Sequence, residues 1–384
     1  MELISPKLAS IVMTGTSPVY ISQLWTSGAV YQANTMVRRE ISGIVRDFRA
    51  KYSHTALSLN APPNSWWWRD LGPALTSGGH TPTTNAALSL APAWAAVNVS
   101  EGEAVYDPAD SSDYRALVSL TSGENSLRPS VAALSSDEEV RARWLKVGAS
   151  NAWAAINYTS GRYMEGTSVT GEILSTLTLS IQVENDTKID RIAFAGLKNV
   201  VQIAAAIYVS GTLVTTVTGQ PTLTAQSYGM PASSLVLSLT AQTAGLVRID
   251  LSFTKGNLAG PLQVGVICVG EALYLGGTEW GVTTSVMSFS RKQRDEVFGT
   301  VSFQKRGFAK TITATCFVDP EIVSGDTVQR VLGEYDGQPI FWDFNNLGSN
   351  YDRLRMFGFF SDMSIAIPAE TFESLSLNVE SIVD

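Results

Sequence analysis

The sequence predicts a mainly β protein: two small aromatic-anchored β repeats, a central antiparallel β-sandwich of jelly-roll type, and a C-terminal small β-barrel or α+β domain. Three observations carry this prediction. Strict period-two alternation runs through the middle of the chain, and small units with aromatic anchors repeat within the first 160 residues. The composition is 45% hydrophobic but only 16% charged, against about 25% charged in an ordinary globular domain. A chain of 384 residues with that composition can build large apolar cores and divide into several domains. The divisions expected are 1–100, 101–161, 162–277 and 278–384.

The repeat is carried by four anchors in the same order. Ala29-Val30-Tyr31 returns as Ala104-Val105-Tyr106, and Asp47-Phe48-Arg49-Ala50 returns as Asp113-Tyr114-Arg115-Ala116. Trp68-Arg69-Asp70-Leu71-Gly72 returns as Trp144-Leu145-Lys146-Val147-Gly148, and Trp94-Ala95-Ala96-Val97-Asn98 as Trp153-Ala154-Ala155-Ile156-Asn157. Between the last two anchors the first copy carries 17 extra residues, including the loop-like Thr76-Ser77-Gly78-Gly79-His80-Thr81-Pro82, and a loop insertion leaves a repeat intact. Val37, Ile41, Val45, Phe48 and Tyr52 would also suit an amphipathic helix. The matching segment around Tyr114 is short and strand-like, so the repeat overrides that periodicity. In the second copy, Ser136 and Glu139 form a capping box for a helical turn leading into Trp144.

From about Arg162 to Gly277 apolar and polar residues alternate as on half-buried strands. Leu177, Leu179, Ile181 and Val183 share one face; Leu235, Leu237 and Leu239 another; Val247, Ile249, Leu251 and Phe253 a third. Val209-Ser210-Gly211-Thr212 reads as a hairpin turn. In the last block Ile312, Ala314, Cys316 and Val318 alternate, as do Leu375, Leu377 and Val379, and residues 325–332 read as a helix capped by Asp326. A chain that stops inside a strand pattern is expected to pair that strand with its own sheet or a neighbour's.

Charge and composition narrow the chemistry. The net charge of −8 disfavours a general nucleic-acid surface. The basic group Arg38, Arg39, Arg46, Arg49 and Lys51 reads as a solvated face or a partner's counter-patch. Two cysteines and two histidines cannot form a four-ligand zinc site without carboxylates, and no cofactor is expected. The opening MELISPKLAS lacks the pattern of a secretory signal. The apolar run Val200–Val209 is too short for a membrane helix, which needs about 20 residues. Neither G-x-S-x-G nor a Gly-rich phosphate loop occurs; Gly276-Gly277 lacks both frames. His54 and His80 are the only imidazole bases, and His80 lies in a Gly-Thr-Pro loop. Glu279, Asp295, Asp343 and Asp362 are acids of the type a glycosidase pairs, with nothing in the sequence to pair them. No catalytic residues are assigned, and a non-enzymatic role is expected.

The informative side chains are aromatic. Trp66-Trp67-Trp68 puts neighbouring rings on opposite sides of an extended chain, so at least one is expected to be partly exposed. With Trp94, Tyr114, Trp144 and Trp153, these are the candidate glycan- or partner-binding residues. Three roles stand open for them: packing between modules, a subunit interface, or stacking on sugars.

The run Tyr106, Asp113-Tyr114-Arg115-Ala116, Pro129, Trp144-Leu145-Lys146-Val147-Gly148, Asn151-Ala152-Trp153 resembles small modules in tail proteins of double-stranded DNA bacteriophages. Those modules are similar to the family 5/12, chitin-binding type, carbohydrate-binding modules. The first copy matches at Asp70-Leu71-Gly72-Pro73 and departs at the insertion and the Trp triplet. Ser290-Arg291-Lys292, Asp295, Phe298-Gly299, Pro339-Ile340-Phe341-Trp342 and Leu375-Ser376-Leu377-Asn378-Val379 also resemble the ends of phage virion proteins. The resemblance implies a virion structural protein of the distal tail, baseplate or nozzle. It would be made in the bacterial cytoplasm and built into a homo-oligomeric ring with other tail proteins. A host-surface glycan-binding adhesin is the alternative, and an envelope-degrading hydrolase a weaker one.

Overall fold

A computed structural model describes residues 1–7, 9–12, 23–32, 35–41, 44–73, 84–87, 89–156, 162–168, 171–183, 188–209, 212–221, 233–242, 247–294, 301–304, 308–345, 352–369 and 372–382. The chain is mainly β, and its central part is an antiparallel sandwich. One layer runs, in spatial order, Thr212–Gly219, Val200–Val209, Val247–Lys255, Thr176–Val183 and Ala9–Val12. Its register places inward residues opposite inward residues: Leu177 faces Phe253, Leu179 faces Leu251, Ile181 faces Ile249 and Val183 faces Val247. All eight are buried, and each such side chain contributes about 1.5–3 kcal/mol of transfer free energy. Val209 pairs with Thr212 across the expected hairpin, whose residues 210 and 211 lie outside the described ones.

The opposite layer presents Ile192 and Phe194, Leu237 and Leu239, and Ile267 and Val269 to the same core. Phe194 and Phe253 meet edge to face across the layers, centroids 5.8 Å apart. This layer continues past residue 277. Strand Glu2–Pro6 lies between Val266–Tyr274 and Ile340–Asp343, antiparallel to both, and Arg355–Ala369, Phe372–Ser381 and Phe308–Val318 follow in order. Leu3 turns to the C-terminal core with Trp342, while Ile4 turns to a second cluster with Ala193, Cys268, Phe341 and Phe357. The segment expected to open the first repeat thus begins with two strands, Glu2–Pro6 and Ala9–Val12, that belong to the sandwich layers.

In the C-terminal block the helix Gly325–Glu334 lays Val328 and Leu332 against Cys316, Leu375 and Leu377. Its cap corrects the sequence reading. Ser324, not Asp326, is the N-cap: its Oγ accepts the Thr327 N–H at 3.3 Å, and Asp326 sits in the first turn. The last strand, Phe372–Ser381, pairs on both sides within the chain.

Both repeats are small sheets, antiparallel throughout in the second and, in the first, antiparallel except where Gln23–Leu24 pairs in parallel with Met36–Ile41. Met36–Ile41 and Ile44–Ala50 are paired strands, so the helical periodicity there is not realised. In the first repeat Asp47 faces Gly72, a bulge follows, then Phe48 faces Asp70, Arg49 faces Arg69 and Ala50 faces Trp68. In the second, Asp113 faces Gly148, a bulge follows at the same place, then Tyr114 faces Lys146, Arg115 faces Leu145 and Ala116 faces Trp144. The next hydrogen bond repeats too, Lys51 N–H to the Trp67 carbonyl and Leu117 N–H to the Arg143 carbonyl, each at 2.9 Å. Phe48, Ala50 and Trp68 fill one small core, and Tyr114, Ala116 and Trp144 the other.

The fourth anchor does not repeat in space. Trp94 lies in an extended segment bonded to Tyr106 and packs on the second repeat's own core, whereas Trp153 lies in the helix Asn151–Ala154 and packs on the sandwich. The matching letters follow different backbones, because the 17-residue insertion precedes Trp94 and hands it to the neighbouring module. The turn before Trp144 is the helix Glu138–Arg141, capped by Asp137, whose side chain accepts the Glu139 N–H at 2.9 Å, rather than by Ser136.

Candidate functional site

The aromatic candidates separate into three environments. Trp68, Tyr114 and Trp144 are buried. Trp68 Nε1 donates to the Asn60 carbonyl at 2.5 Å, which gives a core indole its polar partner. Trp67, Trp94 and Trp153 are half-buried. Trp66 is 72% exposed, but on a turn rather than the extended chain expected: the Trp67 and Trp68 N–H groups both bond to the Asn64 carbonyl, and the strand begins only at Trp68.

Trp66 and Trp67 lie at the end of a loop from Lys51 that is braced throughout. Asn64 accepts the Trp66 N–H at 3.0 Å and donates to the Leu59 carbonyl at 2.8 Å. The Lys51 ammonium donates to the Ser65 carbonyl at 2.7 Å. Tyr52 meets Trp67 edge to face at 6.3 Å. Buried behind them, His54 lies 5.0 Å from the Trp67 ring and 4.9 Å from the Trp68 ring. Its Nδ1 donates to the Tyr52 carbonyl at 2.7 Å, which leaves Nε2 as the lone-pair nitrogen. That nitrogen is buried with no partner among the described residues. Here His54 braces rings. Exposed Tyr52, Leu57, Leu59 and Trp66 form an apolar rim on this loop. Close by, Arg39 places its guanidinium 4.8 Å from the Trp25 centroid and donates to the Pro62 carbonyl.

The second repeat has no matching rim: the positions aligned with Tyr52, Trp66 and Trp67 are Val118, Ala142 and Arg143. Several of its polar groups are engaged internally. The Tyr114 hydroxyl donates to Asp110 Oδ2 at 2.6 Å, the oxygen that also lies 2.9 Å from Lys146 Nζ. Burial, then the Asp110 hydrogen bond and charge, hold the Tyr114 phenol well above its ordinary range. Buried Asp107 accepts the Ala109 and Ser130 N–H groups at 2.9 and 3.0 Å. Asp113 accepts the Ser89 hydroxyl at 2.6 Å and lies 3.0 Å from Arg162. Trp94 donates to Asn125 at 2.9 Å beneath the Arg128 guanidinium. These are fold-holding contacts.

The acids and nucleophiles weighed from the sequence are dispersed. Asp343 is tied to Arg355 at 3.1 Å, Asp362 lies on another strand, and Asp295 and His80 fall outside the described residues. Both cysteines are free and buried. Burial pushes the Cys316 thiol up to about 11 and the Cys268 thiol further still, which leaves both as inert thiols at neutral pH. Among the described residues, no group of three or more His, Cys, Asp or Glu side chains is placed to hold a metal ion, and no helix is long and apolar enough to cross a membrane.

The sequence reading missed a second exposed apolar region, in the C-terminal block. Trp280 stands beside an open groove of about 420 Å³ that Thr283, Thr284 and Arg353 also line. Val286, Met287, Phe289, Phe303 and Phe308 are exposed just beyond it. The available signal was apolar side chains in a stretch without clean alternation, Thr283 to Phe289. No protein-family model, curated protein or solved structure matches the chain.

Proposed function

We propose that this chain is a non-enzymatic structural component of a bacteriophage tail, built as a homo-oligomeric part of the distal tip, baseplate or nozzle. The observation that supports this reading is the series of exposed apolar side chains in the C-terminal block, Trp280, Val286, Phe303, Ile322 and Ile367, in a chain that is only 16% charged. Single exposed apolar side chains are ordinary; in this reading these are covered by neighbouring subunits. Obligate interfaces bury roughly 2,000 Å² or more, and rings repeat one contact until it closes. In this reading the sandwich is the rigid body, the C-terminal block the assembly element and the repeats a peripheral module. The test is immunogold electron microscopy of intact virions with antibodies raised against the purified chain. Label at one position on the tail is expected; unlabelled particles that lack the chain by mass spectrometry sink the proposal.

A second reading, a host-surface adhesin, is favoured by one arrangement: exposed Trp66 and Tyr52 flanking Trp67 on a braced loop. Aromatic faces of that kind stack on the apolar faces of sugar rings. Tryptophan fluorescence titration with chitin oligosaccharides and bacterial envelope glycans decides it. Saturable quenching that Trp66→Ala abolishes is expected if the rim is the site, and no change in emission removes this reading.

A further inference from the structure

We infer that one loop of the first repeat docks on the equivalent loop of the second repeat in another copy of this chain. In the first repeat the loop runs from Lys51 to Trp67, between the paired strands Ile44–Ala50 and Trp68–Pro73. Its counterpart runs from Leu117 to Arg143, between Ser112–Ala116 and Trp144–Ala149. Both loops turn apolar side chains to the surface. The first exposes Tyr52, Leu57, Leu59 and Trp66, with Leu59 at 86%; the second exposes Leu127, Val131 and Leu134, with Leu134 at 87%.

Hydrogen bonds hold both loops in shape. In the first, the Asn60 side chain accepts the Leu57 N–H at 2.6 Å and donates to the Thr55 carbonyl at 2.9 Å, and Asn64 ties back to the Leu59 carbonyl. In the second, the Val131 and Ala132 N–H groups bond to the Arg128 carbonyl at 3.0 and 2.9 Å, and Leu134 N–H to the Val131 carbonyl at 3.1 Å. Val131 and Leu134, three residues apart on these helical turns, share one side, and Leu127 is exposed just before them. Each surface is thus formed before contact, which spares the ordering entropy that weakens association.

Charge identifies the partner. Residues 23–73 hold six Lys and Arg against three Asp and Glu, whereas residues 89–156 hold five against nine. The same opposition marks the two loops. The exposed Lys51 ammonium, bonded to the Ser65 carbonyl, brings a cation to the join between Tyr52 and Trp66, and residues 51–67 contain no Asp or Glu. Exposed Asp137, Glu138 and Glu139 follow Leu134 in the second loop. Two first-repeat loops, or two second-repeat loops, would bring like charges together; unlike loops attract. Both are exposed in one chain, so the contact falls between copies, head to tail, the kind that closes rings. The inference deepens the proposed assembly role, adding a contact through the repeats, and rests on that role only in requiring self-association.

Sedimentation of the full chain over a range of concentrations tests the contact. The wild type is expected to associate. Leu59→Glu in the first loop and Leu134→Glu in the second are each expected to weaken association at least tenfold. An equimolar mixture of the two is expected to recover it as mixed pairs, because the first variant keeps its second-repeat loop and the second variant its first-repeat loop. Glu138→Gln with Glu139→Gln should weaken association at low salt and leave it unchanged at high salt. Near-ultraviolet circular dichroism checks that each variant keeps its fold; if either Glu variant unfolds, Trp66→Ala or Val131→Ala replaces it. A wild type that stays monomeric overturns the inference, as it would if the two loops covered each other within one chain. So do single variants that assemble like the wild type, and a mixture of weakened variants that fails to pair. Virion labelling alongside unaltered assembly of the loop variants would fail the contact and keep the tail reading; loop-dependent assembly with unlabelled virions would do the reverse.

Discussion

Gly270 lies directly opposite Pro6 where the N-terminal strand enters the large sheet, and a β-carbon on Gly270 would run into the carbonyl of Ser5. Close approach of two backbones is the use of glycine here, not a special dihedral angle. Gly270→Ala is expected to push strand Glu2–Pro6 out of register and cost about 1–3 kcal/mol, the usual range for overpacking. Hydrogen exchange should show lost protection of residues 2–6 and 340–343 while Thr176–Val183 stays protected. Unchanged protection of the N-terminal strand would refute the account.

The Tyr114–Asp110 pair makes the second repeat sensitive to alkali. Burial and the neighbouring carboxylate raise the Tyr114 phenol in the folded chain, while the unfolded chain ionises near pH 10. The stabilisation is therefore fully present below about pH 10 and falls above it as the unfolded state alone loses its proton. Each pH unit above that point costs about 1.4 kcal/mol until the folded phenol also titrates. Tyr114→Phe is expected to cost about 1 kcal/mol at neutral pH through the lost hydrogen bond and to flatten the alkaline decline. Denaturant unfolding at several pH values, followed through Trp144 and Trp94 emission, measures both.

The helix Gly325–Glu334 separates the two cap assignments. Ser324→Ala removes the side chain that accepts the Thr327 N–H and should cost about 1 kcal/mol. Asp326→Asn removes only a charge near the helix N-terminus, about 0.3 kcal/mol at low salt. Equal shifts in the urea midpoint would contradict this assignment.

Trp66 and Trp68 are two residues apart and should behave oppositely. Trp68→Ala opens the first repeat's core and leaves the Asn60 carbonyl without its indole donor, so a loss of about 3–5 kcal/mol is expected in that module. Trp66→Ala removes an exposed ring and should change stability by less than about 0.5 kcal/mol. Limited proteolysis within residues 23–73 distinguishes them, with rapid cutting expected for the first variant alone.

Much of the repeat was legible because its anchors name backbone positions as well as side chains. Offsets of 66 and 76 between the copies predict which residues face each other, and both sheets keep that pairing with a bulge at the same step. Trp94 and Trp153 misled because a shared Trp-Ala-Ala spelling says nothing about the backbone beneath it. The caps slipped for a smaller reason. Ser135, Ser136 and Asp137 stand together, as do Ser324 and Asp326, and hydrogen-bond geometry chooses among adjacent acceptors. Tyr52, His54 and the Trp triplet lie close in sequence, but which ring faces water follows from how Asn60 and Asn64 fold the loop.

By itself the sequence determined that this chain is mainly β, which residues of its central strands face inward, and where its small aromatic modules repeat. These are local properties, because side chains on a strand alternate with a period of two wherever the strand lies. Only the tertiary structure decided that Glu2–Pro6 joins sandwich and C-terminal block in one sheet, and that the segment after Thr283 carries exposed apolar side chains. Leu3 lies opposite Trp342, and no local pattern encodes a pairing between segments so distant in sequence. Such contacts exist only once both cores have formed and the surface they bury together outweighs the entropy of closing so long a loop.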